Sequence, residues 1–298
     1  MRPLLHLIIG TILALTALGA AAAGSVIDQM GRSVVVPNDP RRVVALAPSI
    51  TEIVYALGRE DRLVGVTRFS NYPPAAKDLP RVGSYVHLDL ERIVALAPDL
   101  CIAVKDGNPK AVIDRLEALQ IPVYAVNPVD LTSIGETILE VGGLLDARQA
   151  AESVVAAMNA RITAVKNQVA GTTHRPRVFF QIGISPIVSV GSGTFIHELI
   201  TMAGGINVAA GEAPYPRFSR EETFALSPEI LIITSMDRNE SFLAAQAEWQ
   251  RWPEIPAARD NRIHLVDSDL FDRASPRLVD GLELLAGLLH PELAQAAP

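Results

Sequence analysis

The stretch that most constrains the fold is Asp146 to Gly171, DARQAAESVVAAMNARITAVKNQVAG, which has no Gly or Pro inside it and is rich in Ala, Gln, Arg and Lys, all good helix formers. Ala151, Val154, Met158, Ile162, Val165 and Val169 recur at spacings of three and four. That spacing draws one continuous apolar stripe along an amphipathic helix. At ~1.5 Å per residue the helix would run ~35 Å, about the width of a domain. It is either a surface helix within one domain or a rigid connector between two. The flanks decide between these.

A chain of 298 residues is long enough for two domains, each with its own core. With 49% apolar and 20% charged residues the bulk is globular rather than disordered. A net charge of −7 speaks against a nucleic-acid or anionic-membrane binder, which needs a basic face. Arg2, the apolar run LLHLIIGTILALTALG and the following small residues have the order of a secretory signal peptide, with cleavage expected after Ala23. Cys101 is the only cysteine, so no internal disulfide can form, and it lies too far from the signal to carry a lipid anchor. Its setting, LCIAV, is that of a buried core residue. The expectation is a soluble, monomeric periplasmic protein.

Between Asp28 and Pro40 the chain reads as a short polar opening. RRVVALAP (41–48) is a compact apolar run with the signature of a buried strand. Ser49 and Glu52 read as a capping box opening a helix that Gly58 closes. RLVGVT (62–67) is a strand, and the Pro-rich segment 68–87 is a loop. A short helix, a turn at Ala97-Pro98 and a strand follow in LDLERIVALAPDLCIAV (88–104). Beyond the long helix the pattern restarts: strand 177–183, helix 194–205, helix–Pro–strand 218–235 and strand 262–268. A last helix begins with Ser275 as cap and Pro276 in its first turn, burying Leu278, Leu282, Leu285 and Leu289, and the residues after His290 form a frayed tail. Strands alternating with helices imply parallel βαβ units. LERIVALAPDLCI (90–102) aligns without gaps on REETFALSPEILI (220–232) at an offset of 130 residues. The expected architecture is α/β, with two βαβ-type lobes carrying parallel sheets (24–145 and 172–298) joined by the single long helix 146–171.

Ligands of open α/β sheets sit beyond the carboxyl ends of the strands. The polar and aromatic segments there are Phe69–Tyr72, Ser84-Tyr85, Lys105-Asp106, Ser185-Pro186, Tyr215-Pro216 and Asp269–Arg273. Tyr72, Tyr85 and Tyr215 on loops, rather than on periodic core faces, suit a large, flat, partly apolar ligand. Trp249 and Trp252 are read as pinning a peripheral loop. Enzymatic signatures such as G-x-S-x-G and H-E-x-x-H do not occur in the sequence. His87, His174, His197, His264 and His290 are too scattered to hold a metal.

The segments RVVALAPSITEIVYALG (42–58), YPPAAKDLPRVGSYVHLDLERIVALAPDL (72–100), YPRFSREETFALSPEILIIT (215–234) and SDLFDRASPRL (268–278) resemble the periplasmic substrate-binding proteins of ABC importers that have a single helical linker. Within that family they resemble the cobalamin-binding members, over nearly all of the mature chain. The group also contains haem and ferric-siderophore receptors. The resemblance implies capture of a corrinoid, cobalamin or cobinamide, between the lobes, with no catalysis and no resident cofactor. It implies aromatic ligand contacts from Phe69, Tyr85 and Tyr215, and polar contacts from Asp269 and Arg273 to corrin side-chain amides. Val104 and Val188 stand where cobalamin binders have bulky aromatics, giving a looser apolar wall. A haem receptor with Tyr85 as iron ligand, or a siderophore receptor, is the alternative. Glu91 and Glu221, equivalent in the internal repeat, would dock onto the arginines of an inner-membrane permease dimer.

Overall fold

The computed structural model describes residues 23–211, 213–234 and 240–295; the expected signal peptide, but for Ala23, lies outside them. The opening is not a simple polar lead-in. β1 (Ala23–Ile27) and β2 (Ser33–Pro37) pair antiparallel as a hairpin. Asp28 makes the turn: its Oδ1 accepts hydrogen bonds from the Met30 and Arg32 amides at 2.9 Å each. Gly31, at φ 74°, supplies the left-handed step that such a turn requires. Val34 and Val36 face inward and Val35 outward, the period of two of a half-buried strand.

The N-terminal lobe continues with β3 (Val43–Ala45), α1 (Pro48–Ala56), β4 (Leu63–Val66), α2 (Leu90–Ala95), β5 (Leu100–Val104), α3 (Lys110–Ala118), β6 (Val123–Val126) and α4 (Leu131–Leu144). Its four-stranded sheet has the order β4-β3-β5-β6 and is parallel throughout. The long helix follows as α5 (Arg148–Ala170), 23 residues. Beyond it come β7 (Arg177–Gly183), β8 (Ile187–Ser189), α6 (Phe195–Met202), β9 (Ile206–Asn207), β10 (Arg217–Phe218), α7 (Arg220–Ala225), β11 (Ile230–Ile233) and α8 (Glu240–Gln250). α9 (Pro256–Arg259), β12 (Ile263–Leu265), α10 (Ser268–Phe271), α11 (Leu278–Leu289) and α12 (Pro291–Gln295) complete the described residues. The second sheet is mixed rather than wholly parallel. β7, β9, β11 and β12 run parallel, whereas β8 folds back antiparallel to β7 and β10 in turn pairs antiparallel to β8 at the edge.

Both sheets bury both faces, and alternate residues feed different cores. Leu100 and Ile102 of β5, with Val178 and Phe180 of β7 and Ile230 and Ile232 of β11, join a single core that runs through both lobes. Ala151, Met158, Ile162, Val165 and Val169 of α5 are buried in that core and Val154 packs against it, so the stripe read from the sequence is the seam between the lobes. The opposite faces, with Cys101 and Ala103 in one lobe and Phe179, Leu231 and Ile233 in the other, close separate outer cores. Cys101 is a core residue, and burial pushes its thiol up to about 12.

The repeat holds in three dimensions. α2 and α7 have six residues each and are capped by Asp89 and Ser219. Each ends in a left-handed residue, Ala97 at φ 43° and Ser227 at φ 47°. The carbonyl before each turn accepts from an equivalent arginine, Leu96 from Arg42 Nη2 at 2.6 Å and Leu226 from Arg177 Nη2 at 2.7 Å.

Four local readings are corrected. The residues that follow His290, read as a frayed tail, form the short helix α12 over Pro291–Gln295. Glu52 does not cap α1, whose N-cap is Ala47 without a side-chain bond; Glu52 is only 4% exposed and faces the other lobe. Ser275 does not cap α11, whose N-cap is Arg277; the four leucines of that helix are buried as expected. Trp249 is a core residue donating its indole N–H to Gln181 Oε1 at 2.8 Å, and Trp252 packs beside it at a tilt against Phe224, with ring centroids 5.2 Å apart.

Candidate functional site

The carboxyl ends of β4, β5 and β12 bring three segments together. β4 runs into Thr67–Ser70, a loop fixed within its own lobe. Ser70 Oγ accepts a hydrogen bond from Thr51 Oγ1 of α1 at 2.9 Å, and Arg81 Nη1 donates to the Thr67 and Ser70 carbonyls at 2.8 Å each. Phe69 is thereby held partly exposed, edge-on to Tyr85 with ring centroids 6.3 Å apart. Tyr85 is held by Asn108. The Asn108 carboxamide donates to the Leu46 and Tyr85 carbonyls at 2.8 Å each and accepts from the Val104 amide at 2.8 Å. Gly107, at φ 131°, lies so close beneath the Tyr85 ring that a Cβ there would stand 2.5 Å from Cδ2. Phe69 thus meets Tyr85 ring to ring, and Asn108 ties the Tyr85 backbone to that of Val104.

Across the cleft, Val188 of β8 pairs with Arg217 of β10, two residues past Tyr215. Tyr215 is 45% exposed, and its hydroxyl stands 3.5 Å from Asp106 Oδ2, beyond an ordinary O–H···O bond. Burial, with the negative fields of Asp106 and Asp272, raises the Tyr215 pKa; burial and Asp272 do the same for Tyr85. Asp272 itself is pushed up to about 7, by burial first and then by Asp269, against the opposing field of Arg273.

Asp269 and Arg273 are committed to protein partners. Arg273 Nη1 donates to Glu52 Oε1 at 2.6 Å and Asn71 Oδ1 at 2.8 Å, and Nη2 donates to the Phe69 carbonyl at 3.0 Å and Asp269 Oδ1 at 2.5 Å. Asp269 Oδ2 accepts from Asn71 Nδ2 at 2.8 Å. A guanidinium has five N–H donors, and four are engaged here. The structure therefore brings Phe69, Tyr85 and Val104 together on one side, Val188 and Tyr215 on the other, and Asp269 with Arg273 in a polar bridge between the lobes.

Glu52, Asn71, Asn108 and Asp272 are the residues of this region not singled out from sequence. Asn71 and Asp272 lie inside the polar and aromatic segments 69–72 and 269–273. Glu52 sits in a pattern with a sufficient local explanation, and Asn108 in a short D-G-N turn with no pattern of its own.

Glu91 and Glu221 are exposed in the first turns of α2 and α7 and are away from this cluster in sequence and element. Glu222, not Glu221, closes the capping box of α7 with Ser219, leaving Glu221 projecting from the turn. Among the described residues no group of three or more His, Cys, Asp or Glu could hold a metal ion, and no helix is long and apolar enough to cross a membrane.

Residues 43–270 match the model of the periplasmic binding protein family. The chain is 33% identical over 253 residues to the vitamin B12-binding protein of Vibrio parahaemolyticus, covering 84% of this chain and 90% of that protein. To the vitamin B12-binding protein of Salmonella typhimurium it is 32% identical, covering 83% and 90%. The structure of the periplasmic vitamin B12 binding protein BtuF of Vibrio cholerae superposes with a TM-score of 0.74 at 29% identity, covering 87% of this chain and 99% of that one. A periplasmic heme binding protein from Pseudomonas aeruginosa superposes with 0.78 at 30% identity, covering 85% and 93%. With the family model spanning most of its length and relatives of this similarity aligned nearly end to end, the chain belongs to the periplasmic binding protein family.

Proposed function

We propose that this protein is a periplasmic receptor that captures a corrinoid, cobalamin or cobinamide, between its two lobes and delivers it to an inner-membrane ABC importer. The observation that carries the reading is the alignment with vitamin B12-binding relatives over 90% of their length; the aromatic side chains set on both sides of the cleft agree with it. Phe69, Tyr85 and Tyr215 would contact the flat faces of the macrocycle, Val104 and Val188 would leave a looser wall, and Asp269 and Arg273 would form the polar part of the site. Residues 24–145 and 172–298 act as the two lobes and 146–171 as the backbone. Residues 1–23 direct export and are then removed, and the receptor works as a monomer without catalysis. Glu91 and Glu221, one on each lobe, would meet a two-fold symmetric permease, where rim charges set orientation and association rate.

The heme-binding neighbour supports a second reading, in which Tyr85 ligates haem iron. Burial and Asp272 raise the pKa of this phenol, which works against the tyrosinate that such a ligand must supply. Calorimetric titration with cyanocobalamin, cobinamide and haemin separates the readings. Saturable one-to-one corrinoid binding is expected. Haemin binding alone, with an absorption band lost in Tyr85→Phe, would replace the corrinoid with haem.

A further inference from the structure

The least expected arrangement in the molecule is the burial of Glu52. Its side chain is 2% exposed, yet it belongs to no pair within its own lobe. Oε1 accepts from Arg273 Nη1 at 2.6 Å and Arg277 Nη1 at 3.2 Å, and Oε2 accepts from Ser275 Oγ at 2.6 Å. All three partners belong to the segment that leads from α10 into α11, in the opposite lobe. Arg277 also stacks over the Tyr72 ring at 3.8 Å from its centroid, a cation–π contact that returns to the first lobe. Asn71 closes the circuit by bonding both Arg273 and Asp269.

A carboxylate taken out of water is strongly unfavourable unless its charge and lone pairs are met. Here they are met only while the lobes keep this relation, because every donor is supplied from the other lobe. Opening the cleft on this side would part Glu52 from all three of its donors at once. The Thr67–Ser70 loop has fixings of its own, so the bond from Arg273 to the Phe69 carbonyl ties loop and lobe together rather than shaping the loop.

We infer that Glu52 is a positioning residue: through Arg273, Ser275 and Arg277 it fixes the separation of the two lobes, so that the aromatic walls stand at a preset width before any ligand arrives. Arg273 then acts as a strut and not mainly as a ligand contact. A preset cleft saves the ordering cost that binding would otherwise incur. The consequence for affinity rests on the corrinoid reading; the consequence for lobe separation does not.

The test is a distance measurement on ligand-free protein. Spin labels at Lys110→Cys and Arg259→Cys, exposed sites in opposite lobes, are read by double electron–electron resonance; buried Cys101 does not compete for label. Glu52→Gln, which keeps the shape and removes the charge, is expected to broaden the interlobe distance distribution and to weaken cyanocobalamin binding at least tenfold. Asn71→Ala, a milder break of the same circuit, should broaden it to a smaller degree, and serves if Glu52→Gln does not fold. Distributions that match the parent protein in both variants would overturn the strut. Broadening with unchanged affinity would overturn its role in binding. A parent protein that binds no corrinoid would sink the functional proposal while leaving the distance result to decide the strut.

Discussion

Asp272→Asn offers a quantitative check on the electrostatics of the cleft. Burial and the neighbouring Asp269 raise its carboxyl from the ordinary 3.8 to about 7, with Arg273 opposing. A folded-state pKa above the unfolded one means that the folded protein prefers the protonated form. Stability from this group is therefore complete below pH 3.8 and is lost as pH rises through 7. Each pH unit in that window is worth about 1.4 kcal/mol, so the full cost approaches ~4 kcal/mol at pH 8 and is ~2 kcal/mol at pH 5. Because the Asp272 side chain is not wholly sealed from water, screening makes these figures ceilings. Asn cannot ionise, so Asp272→Asn should gain stability relative to the parent as pH rises, by up to ~3 kcal/mol between pH 5 and pH 8. Using the difference between two pH values cancels whatever the amide itself costs in packing. Urea denaturation of parent and variant at both pH values reads it directly. A stability difference that is the same at pH 5 and pH 8, or that shrinks with rising pH, would refute the assignment of a buried, protonated carboxyl at 272.

Other expectations follow from single contacts. Gly107→Ala places a methyl group against the Tyr85 ring and requires φ 131° of an L side chain; displacement of Tyr85 should weaken corrinoid binding about tenfold, ~1.4 kcal/mol, as calorimetry would show. Glu91→Ala combined with Glu221→Ala should leave ligand affinity within about twofold and reduce uptake into cells at least about tenfold; normal uptake would remove the docking assignment. Cys101, whose thiol is pushed up to about 12, should not react with a thiol reagent at pH 8 in the native protein and should give one full equivalent in guanidinium.

What could be read without a structure was what repeats over short range. The stripe of α5 is set by neighbours three and four residues apart, and the helix forms where that stripe predicts. The internal repeat survives down to the left-handed turns at Ala97 and Ser227, because helix, Pro and strand in that order leave the backbone little choice. The strand ends were legible for the same reason: apolar runs stop there and polar or aromatic residues begin. Phe69, Tyr85, Tyr215, Asp269 and Arg273 lie in those polar and aromatic segments, whereas Val104, the last residue of β5, and Val188, within β8, came only from the family resemblance.

The tertiary structure alone decided which of these residues touch, and which partner a charged side chain takes. Ser49-x-x-Glu52 satisfies a local capping rule, yet Glu52 bonds instead to residues more than two hundred positions away. A local cap lets a carboxylate keep its water, so it competes poorly once packing of α1 has already buried the group and two arginines can meet it from across the cleft. Likewise Arg273 looks free in sequence and proves to have four of its five N–H donors engaged. The sequence determined by itself that two similarly built α/β lobes flank one rigid helix, since periodicity and repeat are properties of adjacent residues. The width of the cleft, and the carboxylate that holds it, depended on contacts that exist only once the lobes are assembled.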